Sequence, residues 1–330
     1  LNAPGTYTVR AYAPGDEAAI QRAFTEVFST ERSLAEWRWK FLGPPRGSRI
    51  LLAFDSAGEL VCQYAAIAVD VLWGGVPMGA AQIVDVFSRR RRGLGRRGGA
   101  FQLTMEQFLA ECAARGSGVG FVYGFPGDRH QRAGSVTGHY FAPDTVERLS
   151  RRSPFPAPAG RWSRARSWIS EGFDAHATDR LWQRSRHRYA RATVRDAAWF
   201  RWRYEQRPGG RYLQLGVRRA GEIHAWGVAD LSGGATLRWV DLLWDGERSS
   251  DLLDLAAELE RRAAAQEAGS GAVELWLRGD EAARAALVER GYAALPEPHL
   301  RLSAITFAPQ VSVPQVLTGF YLTMGDCDHF

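Results

Sequence analysis

The stretch WRWKFLGPPRGSRILLAFDSAGELVCQYA, residues 37–65, recurs without a gap as FRWRYEQRPGGRYLQLGVRRAGEIHAWGV, residues 200–228. Along this constant shift Trp39 meets Trp202, Lys40 meets Arg203, Phe41 meets Tyr204, Pro45 meets Pro208 and Gly47 meets Gly210. Gly58-Glu59 likewise meets Gly221-Glu222. Upstream, IQRA from Ile20 returns as WQRS from Trp182; downstream, IVDVF from Ile83 returns as WVDLL from Trp239 after a small change in length. Self-similarity of this density is the signature of a duplicated unit. Two copies of one domain are expected. Trp37, Trp39 and Trp202 recur with the repeat and read as core residues.

Each copy carries the same order of hydrophobic periods. A strand (YTVRAY) and an amphipathic helix (Asp16 to Phe28) open the first copy. A hairpin follows, turned at Ser56-Ala57-Gly58 in one copy and at Ala220-Gly221 in the other. Next come a central strand (AAQIVDVF, TLRWVDLL), a long helix (QLTMEQFLAECAAR, SSDLLDLAAELERRAAAQ) and a closing strand (VGFVYGF, AVELWLR). The copies end in Gly138-His139-Tyr140 and Gly291-Tyr292. The pattern predicts an α+β protein of two domains, each a mixed, mostly antiparallel sheet flanked by helices. Residues 1–150 are assigned to the first and 181–330 to the second. Residues 151–180, a Pro- and Arg-rich linker, are expected to dock through Trp162, Trp168 and Phe173 because such rings are costly to leave in water.

With 45% hydrophobic and 12% aromatic residues the chain can bury a core, which excludes disorder over most of its length. The net charge is +6 and the isoelectric point is near 9.5, yet Lys40 is the only lysine. The basicity therefore points to an anionic ligand more than to a nucleic-acid polymer. Cys62, Cys112 and Cys327 are far apart and form no Cys-x-x-Cys, so neither a disulfide framework nor a zinc site is indicated. With no apolar stretch long enough for a leader or a membrane span, a soluble cytoplasmic protein is expected.

The chemistry-bearing stretch is SRRRRGLGRRGGAF, residues 88–101, set between the first copy's central strand and its long helix. Glycines there let successive N–H groups turn toward one anion, the helix start offers unpaired donors, and arginines add charge-assisted bonds to phosphate. The second copy has WDGERSSD, residues 244–251, at the same place, with Asp245, Glu247 and Asp251. Carboxylates suit a helix start but repel phosphate. An anion site is thus expected in the first copy only.

This order of elements, with Arg90-Arg91-Arg92-Gly93-Leu94-Gly95 matching an (Arg/Gln)-x-x-Gly-x-(Gly/Ala) loop, resembles the GNAT acetyltransferase superfamily. Within it the chain is similar to the tandem group that includes mycothiol synthase and the enhanced-intracellular-survival acetyltransferases. The resemblance implies acetyl-CoA, or another acyl-CoA, as co-substrate, no metal, and direct acyl transfer to an amine-bearing small molecule. It assigns Arg90, Arg91, Arg92, Gly93, Leu94, Gly95 and Arg96 to the phosphates, with the main chain of Val84 and Val86 on the pantetheine arm. Two familiar catalytic positions depart from the pattern: the tyrosine falls at Gly134 and Leu287 in the two copies, and the strand glutamate falls at Gly79. Tyr140 and Tyr123 become the candidate proton donors. Asp85 and the chain-end carboxylate of Phe330 are the candidate bases, although the survival of Asp241 in the second copy favours a structural role for Asp85. Asp326 and His329 are candidates for binding the amine. An aminoacyl-tRNA-dependent FemX-like transferase and a non-catalytic acyl-CoA-binding module stay open as alternatives; nucleic acid enters only under the first. No membrane partner is expected, and a homodimer is left open.

Overall fold

The computed structural model describes residues 7–89, 99–127, 144–155, 167–266 and 271–328. They form two compact units that do not follow chain order: residues 1–70, 78–142 and 303–313 in the first, 71–77, 143–302 and 314–330 in the second.

In the first unit β1 (Thr8–Ala11), β2 (Ser48–Phe54) and β3 (Leu60–Trp73, its residues to Asp70) run antiparallel, β1 on β2 and β2 on β3. β4 (Val76–Ser88) pairs in parallel with β5 (Val119–Gly124), and residues Ser303–Thr306 of β13 (Ala293–Thr306) add antiparallel to β5. The β2–β3 turn is closed by Asp55, whose carboxylate accepts from the N–H groups of Ala57 and Glu59 at 3.0 Å. Helix α1 (Glu17–Phe28) is followed by α2 (Leu34–Leu42), a helix that the periodicity of the repeat did not reveal. The Ser33 side chain caps α2 by accepting from Glu36 N–H, and α2 buries Trp37 and Phe41. Helix α3 (Ala100–Ala113) lays Met105, Phe108 and Cys112 on Leu51, Tyr64, Ala81 and Val122, the main core of this unit.

The second unit repeats this plan. β7 (Trp168–Glu171), β9 (Tyr212–Arg219), β10 (Glu222–Asp230) and β11 (Thr236–Trp244) are successive antiparallel neighbours, and β11 pairs in parallel with β12 (Ala272–Trp276). β6 (Asp144–Arg152) lies between β12 and residues Ala293–Leu302 of β13. The short β8 (Arg191–Thr193) pairs with Val71–Trp73. The helices are α4 (Ala175–Ser185), α5 (Ala197–Phe200, continued by a π turn over Arg201–Glu205), α6 (Ser249–Gln266), α7 (Glu281–Glu289) and α8 (Val313–Gly319). Trp37, Trp39 and Trp202 are buried, as the repeat predicted. Trp168 corrects the expectation for the linker: its backbone joins β9, but its ring is 57% exposed, with the Arg218 guanidinium 5.6 Å from its centre. Phe173 does pack, edge-on to Trp226 at 6.3 Å. Trp162 lies outside the described residues.

Candidate active site

The first unit's sheet parts at the end of β5. The β4–β5 register runs from Gly79↔Val119 to Ile83↔Gly124, whereas β4 continues to Ser88. Val84–Ser88 therefore lie beyond the pairing with β5. The strand also bulges here. Asp85 sits in the left-handed region with φ 47°, a conformation Asp tolerates better than most residues. The bulge inverts the alternation of the strand: Ala81, Ile83 and then Val86 pack on the α3 side, while Val84 and Phe87 are buried away from it. A regular alternation would have placed Asp85 in the apolar core.

The carboxylate of Asp85 is instead held by two cations. One oxygen accepts from Lys40 Nζ at 2.7 Å and the other from Arg32, whose guanidinium also stacks 4.0 Å from the centre of Phe24. Gln63 Nε2 donates to the Asp85 carbonyl at 3.0 Å, fixing the bulge from β3. Both carboxylate oxygens are engaged, so Asp85 anchors the bulge rather than offering itself as a base. Gly79, where the resemblance would put a glutamate, touches the neighbouring backbone: a β-carbon there would overlap the Gly118 carbonyl.

Beyond the gap, α3 begins at Ala100 with Gly99 as its cap, no capping side chain and no acid in the first turn. No capping side chain or acid of the first turn therefore opposes the positive end of this helix. The predicted phosphate loop, Arg90, Arg91, Arg92, Gly93, Leu94, Gly95 and Arg96, lies outside the described residues, as do Tyr140, His329 and Phe330. Arg89, the last described residue before it, bonds to Glu26 and Glu59. Of the predicted pantetheine contacts, Val84 is 3% exposed and Val86 packs partly buried on the core; both lie on the diverging part of β4. Tyr123, 2% exposed, is the β5 partner of Gln82 at the foot of the gap and meets Phe125 edge-on at 6.5 Å.

The second unit has the same parting filled by its own chain. The β11–β12 register ends at Arg238↔Glu274, and the segment after α8 lies beside the diverging strands. Leu322 and Arg278 exchange backbone hydrogen bonds of 3.0 and 3.1 Å, and the Tyr321 hydroxyl donates to Leu242 O at 2.6 Å. Leu242 is the repeat counterpart of Val86. Arg195, which falls on Arg32 at the same constant shift, donates to Asp241 at 2.9 Å and to Asp326 at 2.6 Å, all three side chains being fully buried. Burial alone would lower the Arg195 pKa, but Asp241 and Asp326 raise it well above the usual arginine value. Asp326 also accepts from Thr193 Oγ1 at 2.7 Å and from Thr323 N–H at 2.9 Å. These bonds correct its assignment to amine binding: the carboxylate is saturated and has no surface for an acceptor. Arg203, the counterpart of Lys40, donates to the carbonyls of Gly325 and Cys327.

The acids that replace the phosphate loop are paired internally. Asp245 lies 2.7 Å from His224 Nδ1, while Arg219 Nη2 reaches Glu247 at 3.0 Å and Asp251 at 3.2 Å. His224, Asp245 and Glu247 converge closely enough for a metal ion. Arg219 Nη2 sits 2.9 Å from the same imidazole nitrogen, however, and already supplies the cation. Sequence reasoning missed the Arg32–Asp85 and Arg195–Asp241 pairs, although the shift that aligns the repeat also aligns the two arginines.

Residues 8–134 match the family model of the acetyltransferase (GNAT) domain. A conserved protein of unknown function from Enterococcus faecalis V583, a probable N-acyltransferase, superposes with a TM-score of 0.71 at 15% identity, covering 93% of this chain and 74% of that one. A tandem GNAT protein from the clavulanic acid biosynthesis pathway gives 0.57 at 14% identity, over 93% of this chain and 100% of that one. The N-myristoyltransferase of Saccharomyces cerevisiae, solved with bound myristoyl-CoA and inhibitors, gives 0.58 at 10% identity, over 93% and 81%. No curated protein matches the chain by sequence.

Proposed function

We propose, on the premise that this chain has a tandem GNAT fold whose residues 8–134 form a GNAT domain, that it is an acyl-CoA-dependent N-acyltransferase. Acetyl-CoA is the co-substrate, the acceptor is an amine-bearing small molecule, and the first domain carries the transfer. The observation behind this reading is the parting of β4 from β5 at Ile83↔Gly124, directly ahead of an uncapped α3. The β4 edge that no longer pairs with β5 beyond Ile83 suits the amides of a pantetheine arm, and the Arg- and Gly-rich run before α3 suits its pyrophosphate. The acceptor amine, having lost a proton, attacks the thioester carbon. Its C–N bond forms as the C–S bond breaks, the nitrogen sheds its extra proton to become the amide, and the departing thiolate takes one, so that the protons balance. Tyr123, at the foot of the gap, is the described side chain best placed to give that proton.

The fold neighbour solved with myristoyl-CoA supports an acyl-CoA ligand of this general kind. No helix among the described residues is long and apolar enough to cross a membrane. A cytoplasmic setting is proposed from the three cysteines, which are far apart in the chain and form no Cys-x-x-Cys. Titration calorimetry with acetyl-CoA tests the function. The chain should bind one equivalent, and Gly93→Asp with Gly95→Asp should abolish binding by setting carboxylates in the phosphate loop. No binding by the natural chain, or unchanged binding by the double variant, would sink the proposal.

A further inference from the structure

We infer that Gln82 receives the acyl end of the ligand, its carboxamide Nε2 donating to the thioester carbonyl, an inference that rests on the acyltransferase reading above. Gln82 is 3% exposed, and its Nε2 is fully buried without a hydrogen-bond partner. A buried amide donor left unpaired is costly, so native proteins keep few, and those at sites commonly await a ligand. Gln63, the other buried glutamine of the unit, makes the contrast: its Nε2 is committed to the Asp85 carbonyl.

The position of Gln82 specifies which part of the ligand it meets. It precedes Ile83, the last β4 residue paired with β5, and its partner across the strands is Tyr123. From Ile83 to Ser88 the strand rises roughly 16 Å at ~3.3 Å per residue. An extended arm anchored by its phosphates at the start of α3 and lying along that edge brings its sulfur to the foot of the gap. There the carbonyl meets the row formed by Gln82 and Tyr123, on the face opposite Ala81 and Ile83. The hydrogen bond strengthens as the carbonyl oxygen gains negative charge under attack by the amine, and Gln82 keeps its protons throughout. The second copy is an internal control. Its residue at this position is Arg238, 40% exposed in its side chain and paired with Asp230 at 3.6 Å, and its gap is filled by the Tyr321–Asp326 segment.

The test is Gln82→Leu, compared with the natural chain for binding of acetyl-CoA, binding of free CoA, and thermal unfolding without ligand. The natural chain should prefer acetyl-CoA to CoA. The variant should lose that preference about 5- to 10-fold, the worth of one hydrogen bond, with CoA affinity unchanged. Its unfolding temperature should stay level or rise, because an unpaired buried donor has been removed. An unchanged acetyl-CoA preference overturns the inference, whatever the unfolding temperature, while leaving the acyltransferase reading intact. A marked drop in unfolding temperature with equal losses for both ligands also overturns it, by showing a structural amide. Failure of the natural chain to bind either ligand sinks the acyltransferase reading and this inference with it.

Discussion

In the first unit Asp85 is held by Arg32 and Lys40, one carboxylate between two cations. In the second unit Arg195 is held by Asp241 and Asp326, one cation between two carboxylates. The arginine and the central-strand aspartate are common to both copies; the third member differs in sign and origin. Lys40 comes from α2, inside the repeat. Asp326 comes from a segment after α8 that has no counterpart among the described residues of the first copy, and it brings Tyr321, Leu322 and Gly325 with it. A β-carbon on Gly325 would overlap the Tyr204 hydroxyl and crowd Asp241, so only glycine fits against them. The same bulged, diverging strand thus serves two ends. In the second copy its edge is sealed by the chain, whereas in the first it is the edge along which the proposed ligand lies.

The sharpest way to break this comparison is to remove each arginine. Arg195→Met leaves two fully buried carboxylates without their cation and should cost about 3–5 kcal/mol in denaturant unfolding. Arg32→Met leaves Asp85 still paired with Lys40 and should cost about half as much. Equal losses would mean that the third member is irrelevant to either cluster. A smaller effect is expected of Tyr321→Phe, which removes the hydrogen bond to Leu242 O and should cost about 1 kcal/mol. A larger effect would show that the hydroxyl does more than seal the strand edge.

The smallest expected effect is on cysteine reactivity. Burial pushes the Cys62 thiol up to about 12, partly offset by its bond to Thr104, and the Cys112 thiol up to about 11. A raised thiol pKa keeps the protonated, unreactive form dominant below it, so neither residue should be alkylated at pH 8 in the folded chain. Cys327, fully buried in the sealing segment of the second unit, should be protected as well. Under mild denaturant, early labelling of Cys327 alone would mark that segment as the first to open, whereas early labelling of Cys62 and Cys112 would mark the first unit.

Much of the fold was legible because duplication prints itself on the sequence. Two copies of Trp-Arg-Trp or its equivalents at one shift require two similar units, and the strand and helix periods gave most elements. Helix α2 was not legible: its residues 34–42 are apolar on several sides, with Trp37, Trp39 and Phe41 all buried, so no clean period survives. The mixed membership of the units had no local marker either. Residues 303–306 read as an ordinary strand whichever partner they take.

For the site, the sequence by itself determined that one copy keeps a basic, glycine-rich turn where the other has acids, because charge and glycine are properties of residues. It also held the Arg32 and Arg195 match. Only the tertiary structure decided what those residues touch. The left-handed turn at Asp85 inverts the face of every residue after it, and no pattern of period 2 foresees that. The engagement of Asp326 with Arg195 joins residues 131 apart in the chain. The lone donor of Gln82 is visible only once its neighbours are in place. Sequence carries the kind of group and its spacing; burial and pairing arise when distant strands meet, and they decide whether a polar group is anchored, sealed or left for a ligand.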